Sequence, residues 1–186
     1  MIDSTKRSIE YLTVVIGIFS ILLLVTSCGT TQVISANSSP AIMASIPPSA
    51  EQSLNIGIIT FDPNINQAEI ESEKNFVVSD VRKAESRYLA YHLKNSLEAT
   101  GNWGAVRVIP NSTESSHIEI SGKILSSDGE MLRIAITAED SSNAVWIDRI
   151  FEDRATGLGY DNPTEDPFQD LYNQIANELL NKKNTL

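Results

Sequence analysis

The chain has 186 residues, a formal net charge of −10 and a single cysteine. This length suits one modest domain with extensions, and 41% hydrophobic with 20% charged residues is typical of a globular protein. The excess of 24 acidic over 14 basic residues argues against the basic face that nucleic-acid binding requires. One cysteine excludes an internal disulfide and a cysteine-rich metal site.

Residues 1–27 have the features of a secretory signal peptide. Lys6 and Arg7 precede an apolar run over residues 12–25, and small residues follow it. The run is shorter than the roughly 20 residues that a transmembrane helix requires. We therefore expect a cleaved signal peptide, not a retained span.

The sequence Val25-Thr26-Ser27-Cys28 closes this segment and resembles the bacterial lipobox. The resemblance implies that the thiol of Cys28 carries diacylglycerol, that cleavage occurs before Cys28, and that the new amino group is acylated. Several acyl chains on one residue exceed what stable anchoring needs. Gly29 replaces the aspartate that signals inner-membrane retention in Gram-negative lipoproteins. The resemblance thus implies a lipid anchor at the periplasmic face of the outer membrane, for a Gram-negative host.

Residues 28–52 are expected to form the acylated cysteine and a flexible tether. Residues 29–50 carry no charge and are rich in Ser, Thr, Ala and Pro. Such a composition favours a flexible linker. The charges of residues 1–27 cancel, so the net charge belongs to residues 51–186. We place one periplasmic domain at residues 53–186.

The first half of this domain predicts a strand, a helix and a second strand. The apolar run over residues 54–61 is typical of a buried strand. Ser79 is the predicted N-cap of a helix over about 80–100, and Gly101 ends it. The predicted buried stripe of this helix comprises Val81, Ala84, Tyr88, Leu89, Leu93 and Leu97. Residues 106–109 predict a short strand.

The second half predicts a three-stranded meander and a closing helix. Apolar residues alternate from His117 onward, and Asp128-Gly129 is typical of a tight hairpin turn. A further turn over residues 140–143 leads to a strand over 144–152. Asp166 is the predicted cap of the last helix, with Pro167 at its first position. The order β-α-β-β-β-β-α predicts an α/β fold with a single mixed sheet and helices packed on it.

This order, with Val-Trp-Ile in the third meander strand, resembles periplasmic lipoproteins of the penicillin-binding-protein activator and curli-secretion type, and the amino-terminal domain of TolB. Residues 93–110 and 166–177 are similar to uncharacterised proteobacterial lipoproteins. The resemblance spans most of residues 53–182 and implies no catalytic residues. It implies action by docking on envelope proteins or by assembly into larger structures.

No motif in the chain indicates catalysis or a cofactor. His92 and His117 are the only histidines, and no Gly-x-Ser-x-Gly motif marks a nucleophile. The oxygen-rich segment from Asp62 to Glu73 imitates calcium-loop spacing, but Gln67 stands where such a loop needs glycine. We therefore expect no enzyme activity, no catalytic residue, no cofactor and no metal site.

Residues 139–170 are rich in acidic side chains, which we interpret chiefly as a solvated face. The alternative is a docking surface for a basic partner, with Asp161, Glu165 and Asp166 as possible contacts or loose cation bridges. Trp103 is a second possible partner contact or a packed residue. The sequence predicts a non-enzymatic lipoprotein that binds or scaffolds envelope proteins, with no nucleic-acid partner. The alternative function is a periplasmic binding module for a small ligand or glycan, and the oligomeric state is open.

Overall fold

A computed structural model describes residues 33–35, 40–65, 76–113, 115–155 and 166–185. These residues form six strands and two helices. The strands are β1 (Val33–Ser35), β2 (Ile56–Ile59), β3 (Val106–Ile109), β4 (Ile118–Ser127), β5 (Met131–Asp140) and β6 (Val145–Arg154). The helices are α1 (Phe76–Thr100) and α2 (Gln169–Lys183).

The strands build one mixed sheet in the order β1-β6-β5-β4-β2-β3. β4, β5 and β6 form the antiparallel meander that the alternating sequence predicts. β2 lies parallel to both β3 and β4, and α1 makes the connection from β2 to β3. The predicted α/β class, with a single mixed sheet and packed helices, is confirmed.

Both helices pack on the same face of the sheet and contact each other. Buried residues of β4 and β5 alternate with partly exposed or exposed ones. Because side chains along a strand point to opposite faces in turn, one face of each strand is packed in the core. α2 buries the stripe that its sequence predicts. The largest fully buried side chains are Tyr172, Phe61, Phe151, Ile56, Ile58, Leu93, Leu97, Ile118, Ile120, Ile124, Leu132 and Ile134.

The turns follow their predicted chemistry. Gly129 has a φ of 90°, a backbone conformation that glycine adopts without steric cost, and Asp128 accepts the N–H groups of Glu130 and Met131. Asp140 organises the next turn by accepting hydrogen bonds from Ser142, Ala144 and the Trp146 indole. Its side-chain hydrogen bonds with Ser142 and Trp146 are the main reason that the pKa of Asp140 lies well below its ordinary value.

The segment expected to be a flexible tether is partly structured. β1 lies within it and pairs in parallel with β6, with Val33 opposite Ile150. Further along, Ala44 N donates to the carbonyl oxygen of Thr100 at 2.7 Å. Because these backbone groups are paired with the domain, the ordered structure begins earlier than residue 53.

The first helix differs from its prediction in its start and in its rotation. It begins at Phe76, and Ser79 is buried inside it and does not cap it. Val81, Ala84 and Tyr88 are exposed, whereas Ser86 and Ala90 are buried, so the predicted buried stripe is wrong over the first half of the helix. Within the described ranges, neither helix has the apolar character needed to cross a bilayer.

Gly122 in β4 provides a test of the core. A Cβ atom added there would lie 2.7 Å from Cδ1 of the buried Phe61 ring. We expect Gly122→Ala to lower the free energy of unfolding by about 1–3 kcal/mol, because the ring must move in a close-packed core. Urea unfolding measures the change. The exposed neighbour serves as control, since Ser121→Ala should stay within about 0.5 kcal/mol of the parent, and equal effects of the two substitutions would contradict this packing.

Candidate functional site

Asp166 joins the start of α2 to the middle of α1. One carboxylate oxygen accepts the backbone N–H of Phe168 at 2.8 Å, and the other accepts the hydroxyl of Tyr88 at 2.8 Å. Nδ1 of His92 lies 3.6 Å from that second oxygen, and the Asp166 side chain is only 3% exposed. The sequence predicts Asp166 as a cap. It does cap the turn that leads into α2, although the regular helix begins three residues later, at Gln169.

Three rings form a stack against this carboxylate. The ring centroids of Tyr88 and His92 lie 4.1 Å apart, and those of His92 and Tyr172 lie 5.9 Å apart. Tyr172 is fully buried, and its hydroxyl has no hydrogen-bond partner among the described residues. Burial raises the pKa of Tyr172 well above its ordinary value, and the charge of Asp166 adds to this effect.

The electrostatics of this cluster oppose catalysis by its tyrosines. Partial burial, followed by the hydrogen bond to Asp166 and its charge, raises the pKa of Tyr88 to about 12. A general base or nucleophile that works near neutral pH needs a pKa shifted towards 7. Tyr88 is shifted in the other direction and stays protonated as a hydrogen-bond donor. The cluster therefore ties the two helices together.

Acidic side chains collect at the end of the domain where α2 begins, and we call this end the acidic pole (Glu85, Asp128, Asp153, Asp166 and Asp170). Burial raises the pKa of Asp153, and the charges of Asp170 and Asp166 raise it further. The hydrogen bond from the backbone N–H of Arg154 acts in the opposite direction and lowers it. Among the described residues, no group of three His, Cys, Asp or Glu side chains is placed to hold a metal ion. Asp161 and Glu165 lie outside the described residues, as do Cys28 and Gly29.

Trp103 belongs to the core and not to an open contact surface. It is 7% exposed, and the ammonium of Lys183 lies 5.0 Å from its ring centroid. Its position directly after α1 suggested partial exposure, but the end of α2 covers it. The interpretation of Trp103 as a partner contact therefore fails on accessibility.

An exposed stripe on α1, which the sequence assigned largely to the core, is the surface feature that sequence reasoning missed. It consists of Val81, Ala84, Tyr88 and Tyr91, and we call it the α1 stripe. The spacing of three and four residues places these side chains on one side of the helix, and Val81, Tyr88 and Tyr91 are among the exposed large hydrophobic residues. The spacing was visible in the sequence, but it could not show which of two apolar faces is buried.

A shallow polar groove of about 630 Å³ runs between β6 and α2. An ion pair between Arg149 and Glu178, with its atoms 2.7 Å apart, crosses it. Trp146, Asn177 and Lys182 also line it. Burial raises the pKa of Glu178, and the positive charge of Arg149 acts against this shift.

Comparison with solved structures finds similar chains, among them the following two. A point variant of PelC from Paraburkholderia phytofirmans, solved as a dodecamer, shares 16% identity over 81% of this chain and 98% of its own, with a TM-score of 0.44. The hypothetical protein CT253 from Chlamydia trachomatis shares 9% identity over 70% of this chain and 95% of its own, with a TM-score of 0.39. No protein-family model and no curated protein matches the chain.

The Tyr88–Asp166 contact predicts a distinct alkaline titration. Tyr88 ionises at about 12 in the folded protein against an ordinary value of 10.0. Because the unfolded chain releases this proton first, the Tyr88 contribution to stability is complete below pH 10 and is lost as pH rises towards 12. Denaturation at several alkaline pH values measures this loss. Tyr88→Phe should remove this component of the pH dependence, and an unchanged profile in that variant would contradict the assignment.

Proposed function

We propose that the protein is a non-enzymatic lipoprotein that is anchored through Cys28 at the periplasmic face of the outer membrane and binds or scaffolds another envelope protein. The α1 stripe is the observation that carries this proposal. Val81, Tyr88 and Tyr91 are each more than half exposed on one helix face, and such a patch is typical of a binding surface. Tyrosine is also enriched among residues that dominate binding energy.

The border of the α1 stripe has the composition of an interface rim. Lys83 and Asp80 form an ion pair at 3.3 Å, and Arg82 and Glu85 form one at 4.0 Å. The ammonium of Lys94 lies 5.3 Å from the centroid of the Tyr91 ring. An apolar centre within a polar, charged rim is the usual arrangement of a protein–protein contact. The mixed charges of this rim favour a protein partner over a single highly charged ligand.

The helix-tying role of Asp166 supports a function without catalysis. Its two oxygens accept the Phe168 N–H and the Tyr88 hydroxyl, and neither faces an open cleft. Tyr88 is held in its protonated form by the same contact. The polar groups of the Tyr88–Asp166 cluster are thus already engaged in hydrogen bonds that stabilise the fold.

The groove between β6 and α2 favours the second candidate, a binding module for a small polar ligand or glycan. Amides, an ion pair and an indole edge are groups that recognise hydroxyl-rich ligands. In this candidate the ligand contacts Asn181 and the Arg149–Glu178 pair, and the α1 stripe has no role.

The anchor is tested by replacing its acceptor. We expect Cys28→Ala to abolish incorporation of radioactive palmitate, because the thiol is the acylated group, and to release any protein cleaved elsewhere from the membrane fraction. Ser27→Ala is the matched control and should keep the label, since it leaves a small residue before the cysteine. Palmitate labelling of the Cys28→Ala protein would refute the anchor.

The α1 stripe is tested by photo-crosslinking in cells. A crosslinking amino acid at Tyr91 should give a discrete protein adduct, whereas one at the exposed Asp148 of β6 should not. Introducing Val81→Asp on the same stripe should lower the Tyr91 adduct about tenfold, the effect of losing roughly 1.4 kcal/mol of binding energy. Circular dichroism confirms that the variant is folded. An adduct insensitive to Val81→Asp would contradict docking on the stripe, and saturable sugar binding without any adduct would favour the groove.

A further inference from the structure

A rigid loop presents apolar side chains to solvent at the end of the domain where both helices finish. The loop covers residues 40–46, and we call this end the loop pole. Ile42 and Met43 are exposed, and Ile46 is 84% exposed. Three exposed apolar side chains in a run of five residues are unusual unless another apolar medium covers them.

The backbone of this loop is held in place by both helices. The N–H of Ile42 donates to the side-chain oxygen of Asn177 at 2.7 Å, and the side-chain amide of Asn102 donates to the carbonyl of Ile42 at 2.7 Å. Asn177 also donates to the carbonyl of Pro40 at 3.1 Å. Asn177 belongs to α2, and Asn102 is the second residue after α1. Because the backbone of the loop is already fixed, covering its apolar side chains would cost little additional conformational entropy.

Positive charge lies beside this loop in an otherwise acidic protein. Lys183 donates to the carbonyl of Asn102 at 2.8 Å, and Asn102 in turn holds Ile42. Lys182 is its neighbour in the last turn of α2. Residues 40–50 carry no charge, and the acidic pole lies at the other end of α2. Apolar residues next to lysines fit the surface of an anionic bilayer.

We infer that the loop over residues 40–46 is a membrane-seating surface: its apolar side chains enter the headgroup region of the bilayer, and the positive charges of Lys182 and Lys183 lie beside them. This inference rests on the proposed lipid anchor at Cys28, which would supply most of the binding energy. The loop then fixes the orientation of the domain, with the loop pole at the membrane and the acidic pole away from it.

Depth-dependent fluorescence quenching tests this orientation. Cys28 is the only cysteine, so in the acylated full chain an introduced cysteine is the sole free thiol. Met43→Cys and Val81→Cys form a matched pair, because both parent side chains are 59% exposed. Val81 lies about 28 Å along the α1 axis from Thr100. Each variant is labelled with a polarity-sensitive dye and reconstituted into vesicles of phosphatidylethanolamine and phosphatidylglycerol that contain a nitroxide lipid.

We expect several-fold stronger quenching of the dye at position 43 than at position 81. Flotation of the same vesicles reports separately on the anchor. Flotation with equal quenching at the two positions would overturn the seating surface and leave the anchor intact. Failure to float would overturn the anchor and, with it, the seating that depends on it. Crosslinking of position 43 to a protein in place of quenching would also overturn the inference.

Discussion

The carboxylate of Asp166 sets the relation between the two helices, and the surfaces of the domain depend on that relation. By accepting the Phe168 N–H it orders the turn that leads into α2, the helix that buries Leu171, Tyr172 and Ile175. By accepting the Tyr88 hydroxyl it helps to hold α1 at one rotation about its axis. At that rotation Val81 and Tyr91 point outward. One buried charge, satisfied by hydrogen bonds from both sides, thus links core packing to an exposed apolar surface.

Sequence patterns predict the sheet better than the helices, for a physical reason. In β4 and β5 the period of two leaves only two possible faces, and the apolar residues occupy one of them. In α1 the single predicted stripe divides: Leu89, Leu93 and Leu97 are buried, whereas Val81 and Tyr88 are exposed. The structure buries the small side chains of Ser86 and Ala90 in place of Val81 and Tyr88, and apolar spacing alone does not reveal this.

The candidate site likewise has some features that local sequence predicts and others that it does not. Asp166 and the end of α1 at Gly101 were predictable from local capping chemistry, because such signals act over a few residues. The meeting of Tyr88, His92 and Asp166 was not, since it depends on packing between segments almost eighty residues apart in sequence. Burial of Trp103 likewise depends on Lys183 and the end of α2, which no local pattern near Trp103 encodes.

The parallel pairing of β1 with β6 decides which strands lie at the edges of the described sheet. Val33, Ile34 and Ser35 stand opposite Ile150, Phe151 and Glu152, so this part of β6 already has a partner on both sides. In the order β1-β6-β5-β4-β2-β3 the edge strands are β1 and β3, of three and four residues. Edge strands this short offer few unpaired backbone groups to a strand of another chain. Among the described strands, the long meander is therefore protected from edge-to-edge association.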